Sequence, residues 1–133
     1  MTYLTAYVVS LVVFLGVDFL WLSTMGAALY RSTLGDLLAS SVRLAPAAVF
    51  YLVYPIGIVV FAVSPALTAD SWMRSAALGA LFGALAYATY DLTNFATLRT
   101  WSLQITVLDI AYGAIASGAA AVVAYFVVKA IFG

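Results

Sequence analysis

The chain has 133 residues, of which 67% are hydrophobic and only 8% are charged, and it carries no formal net charge. A soluble domain is roughly half apolar and about a quarter charged, so this composition excludes an ordinary water-soluble fold. It also excludes intrinsic disorder, which requires a polar and charged chain, and the lack of a basic block excludes nucleic acid as a partner. The composition therefore predicts an integral membrane protein whose main partner is the lipid bilayer.

Several residue types are missing from the chain. It contains no Cys and no His, and all of its five acidic residues are Asp. Disulfides, zinc–thiolate sites, iron–sulfur clusters and His-ligated haem cannot be built without those residues, and neither can Ser–His or Cys–His nucleophile pairs. We therefore expect no cofactor and no resident metal. Any chemistry must use Asp, Arg, Tyr, Ser, Thr or Asn, or a cation that prefers oxygen ligands.

Four apolar segments follow one another along the chain, and each is long enough to cross a hydrocarbon core that needs about 20 residues. The first lacks a basic leader and contains Asp18, so we interpret it as a retained helix and not as a cleaved signal peptide. The connections are short and leave no room for a second domain. The sequence thus predicts an all-α fold, in which residues 1–133 form one integral membrane bundle of four transmembrane helices at about 3–29, 44–63, 73–98 and 103–132.

Small residues predict how the last two helices pack. Gly79 and Gly83 form a GxxxG pattern in the third segment, and Gly113, Ser117 and Ala121 repeat every four residues in the fourth. Such stripes let helix backbones approach closely in lipid. We expect these two helices to pack tightly, and the alternative is that the stripes form the interface of a homo-oligomer.

The flanks of the segments carry interfacial residues. Trp72, Trp101 and Tyr30 lie at segment ends and are expected to anchor the chain at the membrane surface. Pro55 lies inside the second segment and is expected to kink it. The side of the membrane with Arg31, Arg43 and Arg99 is the expected cytoplasmic one, although the near balance with Arg74 and Lys129 leaves a dual-topology dimer open.

Three aspartates lie inside the predicted spans, where an ionisable group is costly unless it is paired or hydrated. At 1.5 Å per residue, Asp91 and Asp109 each lie about 12 Å from the turn that joins the third and fourth helices. Asp18 lies nearer the mid-plane. All three carboxylates are expected in the leaflet that the three-arginine side borders.

Polar side chains accompany these aspartates at helical spacing. Tyr87, Asp91 and Asn94 share one stripe of the third helix, with Tyr90 and Thr97 on the adjoining one, and Tyr112 follows Asp109 in the fourth helix. The pattern predicts a polar intramembrane site with Arg99 as its electrostatic partner. The alternative is that each aspartate only joins helices through a local hydrogen bond. The expected binding residues are Asp18, Tyr87, Tyr90, Asp91, Asn94, Thr97, Arg99, Asp109 and Tyr112.

The sequence resembles a known family. The run from Tyr90 to Trp101, Tyr-Asp-Leu-Thr-Asn-Phe-Ala-Thr-Leu-Arg-Thr-Trp, is followed by Asp109 and is similar to the signature of a small bacterial inner-membrane family, the predicted membrane proteins of domain of unknown function 2177. The stretch Phe14–Trp21 and Tyr30 also match this pattern. The resemblance covers essentially the whole chain and implies a four-helix protein of the bacterial inner membrane. It implies no catalytic residue and no substrate.

Three functions are compatible with these features. The polar site favours binding or transport of an ion or small molecule, with Asp91 as the main carboxylate and a homo-oligomer to enclose the pathway. An accessory or assembly subunit of a larger membrane complex is the alternative. The third hypothesis is a membrane-embedded enzyme on a lipid or isoprenoid, with Mg²⁺ on the aspartates and a phosphate held by Arg31 and Arg99.

Overall fold

The computed structural model describes all residues from Met1 to Gly133 and contains helices and no strands, so the predicted all-α fold is confirmed. Two of the helices are interrupted by a π-helical turn, at Gly26–Arg31 in the first and at Val59–Val63 in the second. The chain forms four helical segments: α1 at Thr2–Leu37, α2 at Leu44–Ala69, α3 at Trp72–Thr97 and α4 at Leu103–Phe132.

Three of these helices, α1, α2 and α4, are long and apolar enough to cross a membrane. The sequence predicts four such helices, and the structure contains three. The exception is α3, which has 26 residues and is long enough but is less apolar. Its second half carries the polar residues that the sequence singles out, together with two more threonines: Thr89, Asp91, Thr93, Asn94 and Thr97.

Two helices run further than the apolar pattern indicates. The first continues from the expected end near residue 29 to Leu37, and the second continues beyond residue 63 to Ala69. Asp70 ends α2 in a left-handed conformation with φ of 53°. The side chain of Ser71 then accepts a hydrogen bond from the backbone of Arg74 and caps α3. The connection between α2 and α3 is therefore a tight turn.

The fourth helix, α4, is central to the bundle and packs along α3 and α1. At Gly83 of α3, a Cβ atom would collide with the carbonyl oxygen of Gly113 and with Ser117, and at Gly79 it would lie 2.8 Å from Ala121. The two backbones therefore approach too closely for any larger side chain. The expected tight packing of the third and fourth helices is confirmed.

The irregularity of α2 is a π-helical turn that begins four residues after Pro55. Pro55 removes one backbone donor from the helix. The hydroxyl of Tyr7 on α1 donates to the carbonyl of Leu52, in the preceding turn, at 2.7 Å. Pro55 leaves the carbonyl of Tyr51 without its α-helical donor, and the Tyr7 hydroxyl bonds to the adjacent carbonyl, so this bond joins α1 to α2 beside the interruption.

The bundle is closed at one end and wider at the other. The second half of α2, from Val59 onward, packs against α3, whereas its first half, Leu44–Ile58, packs mainly against α1. The backbones of α2 and α3 therefore separate toward the end that contains residues 38–43 and 98–102. This wider end contains the candidate site.

Candidate functional site

A cleft of about 520 Å³ opens at the wider end of the bundle. Its size lies in the range of roughly 300–1,000 Å³ that is typical of small-molecule sites. The segment that follows α1 contributes Leu38, Ala39 and Val42 to its wall. The carboxylates of Asp18 and Asp109 and the side chain of Arg31 line it. Seven aromatic residues also line it: Trp21, Tyr30, Tyr51, Tyr87, Tyr90, Trp101 and Tyr112.

Asp18 of α1 is 8% exposed and joins three helices. One of its oxygens accepts a hydrogen bond from the hydroxyl of Tyr51 on α2. The other accepts from the hydroxyl of Tyr112 on α4 at 2.6 Å. Hydrogen bonds to an ionised acceptor are roughly twice as strong as neutral ones. Two phenols thus hold the Asp18 carboxylate in place without neutralising it.

Asp109 of α4 is held in a similar way by α1. It accepts a hydrogen bond from the Tyr30 hydroxyl, and that hydroxyl accepts from the indole N–H of Trp21 at 2.9 Å. The Trp21 ring stacks on Tyr112 with a centroid distance of 4.6 Å. The groups around Asp18 and those around Asp109 are therefore in direct contact. Tyr30 lies in the π-helical turn of α1, where the wider helical turn changes the directions of the side chains that follow it.

Asp91 of α3 is the third carboxylate and lies behind Asp109. Its side chain is 0% exposed, and neither of its oxygens has a hydrogen-bond donor. It lies beside the carboxylate of Asp109. Because two ionised carboxylates offer only acceptors, they can form a hydrogen bond only when one of them carries a proton.

No basic residue forms an ion pair with any of these three aspartates. The ion pair of the chain joins Lys129 and Asp70 at 2.8 Å, at the closed end of the bundle. There the hydrogen bond from the Lys129 ammonium group holds the pKa of the Asp70 carboxyl below its ordinary value of 3.8. The aspartates of the wider end therefore have no basic side chain paired with them.

Most of the residues expected from the sequence lie together. Five of them line the cleft, and Asp91 lies directly behind it. Asn94, Thr97 and Arg99 do not line it: Asn94 is partly exposed, Thr97 donates to the carbonyl of Thr93 in its own helix, and Arg99 is exposed without an ion pair. The five cleft residues are Asp18, Tyr87, Tyr90, Asp109 and Tyr112.

Tyr51 and Trp21 are site residues that the sequence pattern does not indicate, and Tyr30 was expected at the membrane surface. The sequence does contain an indication for Tyr51, because this residue lies inside an apolar segment, where a phenol hydroxyl needs a hydrogen-bond partner. The same reasoning applies to Tyr54, whose hydroxyl is 2.7 Å from that of Ser117. Trp101 is also not an exposed anchor, because it is 8% exposed and its indole N–H donates to Thr106.

A second cavity of about 360 Å³ lies between α2 and α3, where the two helices separate. It is lined by Phe50, Tyr54 and Ala86 and shares Tyr87, Tyr90 and Asp109 with the cleft. A Cβ atom at Gly113 would collide with the Tyr87 ring, so this glycine makes room for the ring between the two cavities. Asp109 can therefore be reached both from the wide end and from the side of the bundle.

Comparison with known proteins agrees with the resemblance seen in the sequence. The model of the family described as predicted membrane protein (DUF2177) matches residues 3–126. Neither the curated proteins nor the solved structures give a significant match. The matched region contains every residue that lines the cleft. The chain belongs to the predicted membrane protein family DUF2177.

Proposed function

We propose that this protein binds a small molecule or ion in its intramembrane cleft, as a step in moving that ligand into or across the bacterial inner membrane. In this proposal residues 1–133 form one domain and all four helices span the bilayer. The observation that carries the proposal is the convergence of Asp18 and Asp109 on one cleft, where neither forms an ion pair. An ionisable group at membrane depth is costly and usually marks a site or a pathway.

The polar residues of α3 are compatible with a fourth span. Asp91 is buried inside the bundle and not exposed to lipid. Thr89, Thr93 and Thr97 lie on the outer face, and each donates its hydroxyl to a backbone carbonyl one turn earlier in the same helix. Hydroxyls that are satisfied in this way lower the cost of exposing threonine to lipid.

Access to the cleft is one-sided. A ligand could enter from the wide end or laterally between α2 and α3, through the cavity that shares Asp109 with the cleft. Beyond the cleft, the close contact of Gly83 with Gly113 and the bond between Tyr54 and Ser117 occupy the middle of the bundle. Transport across the membrane therefore requires a second conformation or a second copy of the chain.

The other two hypotheses have less support. The aspartates do not converge into a group of three or more acidic residues able to hold a metal ion, so the geometry does not favour the Mg²⁺-dependent enzyme. The small residues that suggested docking of a partner subunit instead pack α3 against α4 within the chain. The accessory role is one of the outcomes that the following experiment distinguishes.

Native mass spectrometry of the protein, extracted from its membrane with a lipid-retaining polymer, tests the proposal. Gly26 lines the cleft, and a Cβ atom placed there meets nothing within 4 Å. The Gly26→Phe variant should therefore fill the cleft without displacing its polar groups. Gly16 also has open space around its Cβ position and does not line the cleft, which makes Gly16→Phe the matched control.

We expect wild type and Gly16→Phe to retain a small-molecule adduct that Gly26→Phe loses. A stoichiometric protein partner in all three samples would instead support the accessory role. An adduct that is unchanged in Gly26→Phe would contradict a ligand site in the cleft.

A further inference from the structure

We propose that the ligand of the cleft is an organic cation, that is, a small molecule with a positively charged nitrogen attached to an apolar group. The inference rests on the proposed function, since it names the class of ligand for the same site. Three features support it: the acidic residues of the cleft, the aromatic residues that line it, and the position of Asp91.

The charge of the cleft requires a positive partner. Asp18 and Asp109 face the cleft, and their hydrogen-bond donors are neutral phenols. Arg31 is the basic residue that lines the cleft, but its side chain is exposed and forms no ion pair. Charges are screened far less inside a protein than at its surface. A cation placed between the two carboxylates therefore gains more than a neutral molecule or an anion would.

The walls favour an organic cation over a metal ion. Seven of the sixteen residues that line the cleft are aromatic. Aromatic rings attract ammonium groups through their negative faces, and sets of such rings recognise quaternary ammonium ligands. A divalent metal ion, by contrast, needs several converging oxygen ligands, and no group of three acidic residues provides them.

The rings are also held in fixed positions. Trp21 stacks on Tyr112, and Tyr90 meets Trp101 edge to face at a centroid distance of 5.5 Å. The Trp21 indole is fixed further by its bond to Tyr30. A wall that is ordered before binding loses little conformational entropy when the ligand enters.

Asp91 provides an independent observation. It is completely buried, has no donor on either oxygen and lies beside the Asp109 carboxylate that borders both cavities. A buried charge without a partner is strongly unfavourable. Even when the two carboxyl groups share one proton, the pair carries one negative charge, which a cation bound at Asp109 would neutralise.

A matched set of probes tests this selectivity. Benzyltrimethylammonium carries the cation, and 2,2-dimethylpropylbenzene is its neutral isostere with carbon in place of nitrogen. Benzenesulfonate is the anionic probe. Binding to the protein in nanodiscs is followed by the fluorescence of Trp21 and Trp101 in the Trp72→Phe background, because Trp72 lies outside the cleft. Each affinity is calculated from the concentration of the probe in the membrane and not from its concentration in the buffer.

We expect the cation to bind at least about tenfold more tightly than its neutral isostere. Asp18→Asn and Asp109→Asn should each weaken cation binding by about tenfold or more and leave the isostere unchanged. The isostere therefore also reports that each variant is folded. Asp36→Asn is the control, since Asp36 is exposed and outside the cleft, and it should bind the cation as wild type does.

The results that would contradict this inference alone differ from those that would also contradict the proposed function. If the isostere or the anion binds as tightly as the cation, and Gly26→Phe abolishes that binding, the cleft is a ligand site but the inferred class is wrong. If no probe alters the fluorescence, or if Gly26→Phe binds all three probes as wild type does, both the inferred class and the cleft site are contradicted.

Discussion

The hydroxyl of Tyr112 donates a hydrogen bond of 2.6 Å to Oδ1 of Asp18 and so joins α4 to α1 inside the cleft. The same carboxylate accepts from Tyr51, so that one acidic group connects α1, α2 and α4. The wider end of the bundle is therefore held together by phenol–carboxylate bonds, whereas the closed end is held by close backbone packing.

Tyr112→Phe removes the donor and keeps the ring that stacks on Trp21. We expect it to lower the free energy of unfolding by about 1–2 kcal/mol, because a bond to a charged acceptor in a buried site is lost. Unfolding in mixed detergent–SDS micelles measures the change. Tyr3→Phe is the control, because Tyr3 is exposed, and it should be neutral. Equal stability of the two variants would show that the Asp18 bond contributes nothing.

Gly83→Ala tests the close packing of α3 and α4. The added methyl group would collide with the carbonyl of Gly113 and with Ser117, so α3 and α4 must move apart. We expect a loss of about 1–3 kcal/mol in the same assay. At Gly16, where a Cβ atom meets nothing within 4 Å, the change to Ala should be neutral or slightly stabilising. A neutral Gly83→Ala would contradict the close approach of the two helices.

Cysteine labelling tests whether α3 spans the membrane. The chain has no natural Cys, so Ser40→Cys, Ala69→Cys and Thr100→Cys each place one thiol at an exposed position. A membrane-impermeant maleimide should label Ser40→Cys and Thr100→Cys from the same side of sealed vesicles and Ala69→Cys from the other. Labelling of Ala69→Cys and Thr100→Cys from the same side would mean that α3 does not cross.

Infrared difference spectroscopy tests whether Asp91 and Asp109 share a proton. The titratable groups that line the cleft with Asp109 are Asp18, Tyr30 and Arg31 of α1, Tyr51 of α2, Tyr87 and Tyr90 of α3 and Tyr112 of α4, and the one basic group among them, Arg31, forms no ion pair. We expect a carbonyl band of a protonated carboxyl group at neutral pH, which shifts in D₂O and disappears in Asp91→Asn. The band should persist in Asp36→Asn. Its absence from wild type would show that the pair holds no proton.

The pair of Asp70 and Lys129 gives a prediction about pH. The pKa of the Asp70 carboxyl is lower in the folded protein than its ordinary value of 3.8, because the Lys129 ammonium group bonds to it. The pair therefore stabilises the fold above pH 3.8, and this contribution is lost as the pH falls through the folded value. Below pH 4, thermal stability should fall further in wild type than in Asp70→Asn. Parallel curves for the two proteins would contradict this assignment.

The sequence was sufficient to locate the acidic residues of the site and the tight packing of α3 and α4. Both follow from rules that hold anywhere in a bilayer: a carboxylate must face the interior, and small residues let helices approach. Asp18, Asp109 and Gly83 are therefore predictable from position and spacing alone.

The partners of those carboxylates could not be predicted in the same way. Tyr30 reaches Asp109 because a π-helical turn changes the direction of the α1 side chains, and no residue type signals such a turn. Arg99 lies in the turn between α3 and α4, at the same end of the bundle as the site, but its side chain is exposed and forms no ion pair. Which side chains meet across the bundle depends on how the helices are rotated, and the sequence pattern determines that rotation only coarsely.

An experimental structure of the protein in lipid with 4-iodobenzyltrimethylammonium would show whether an organic cation occupies the cleft, because iodine marks the position of the ligand. We expect one iodine site inside the cleft, between Trp21 and Tyr112 on one side and Tyr90 on the other. Iodine found only on the lipid-facing apolar groove formed by Tyr3, Leu4 and Val60, with an empty cleft, would contradict it.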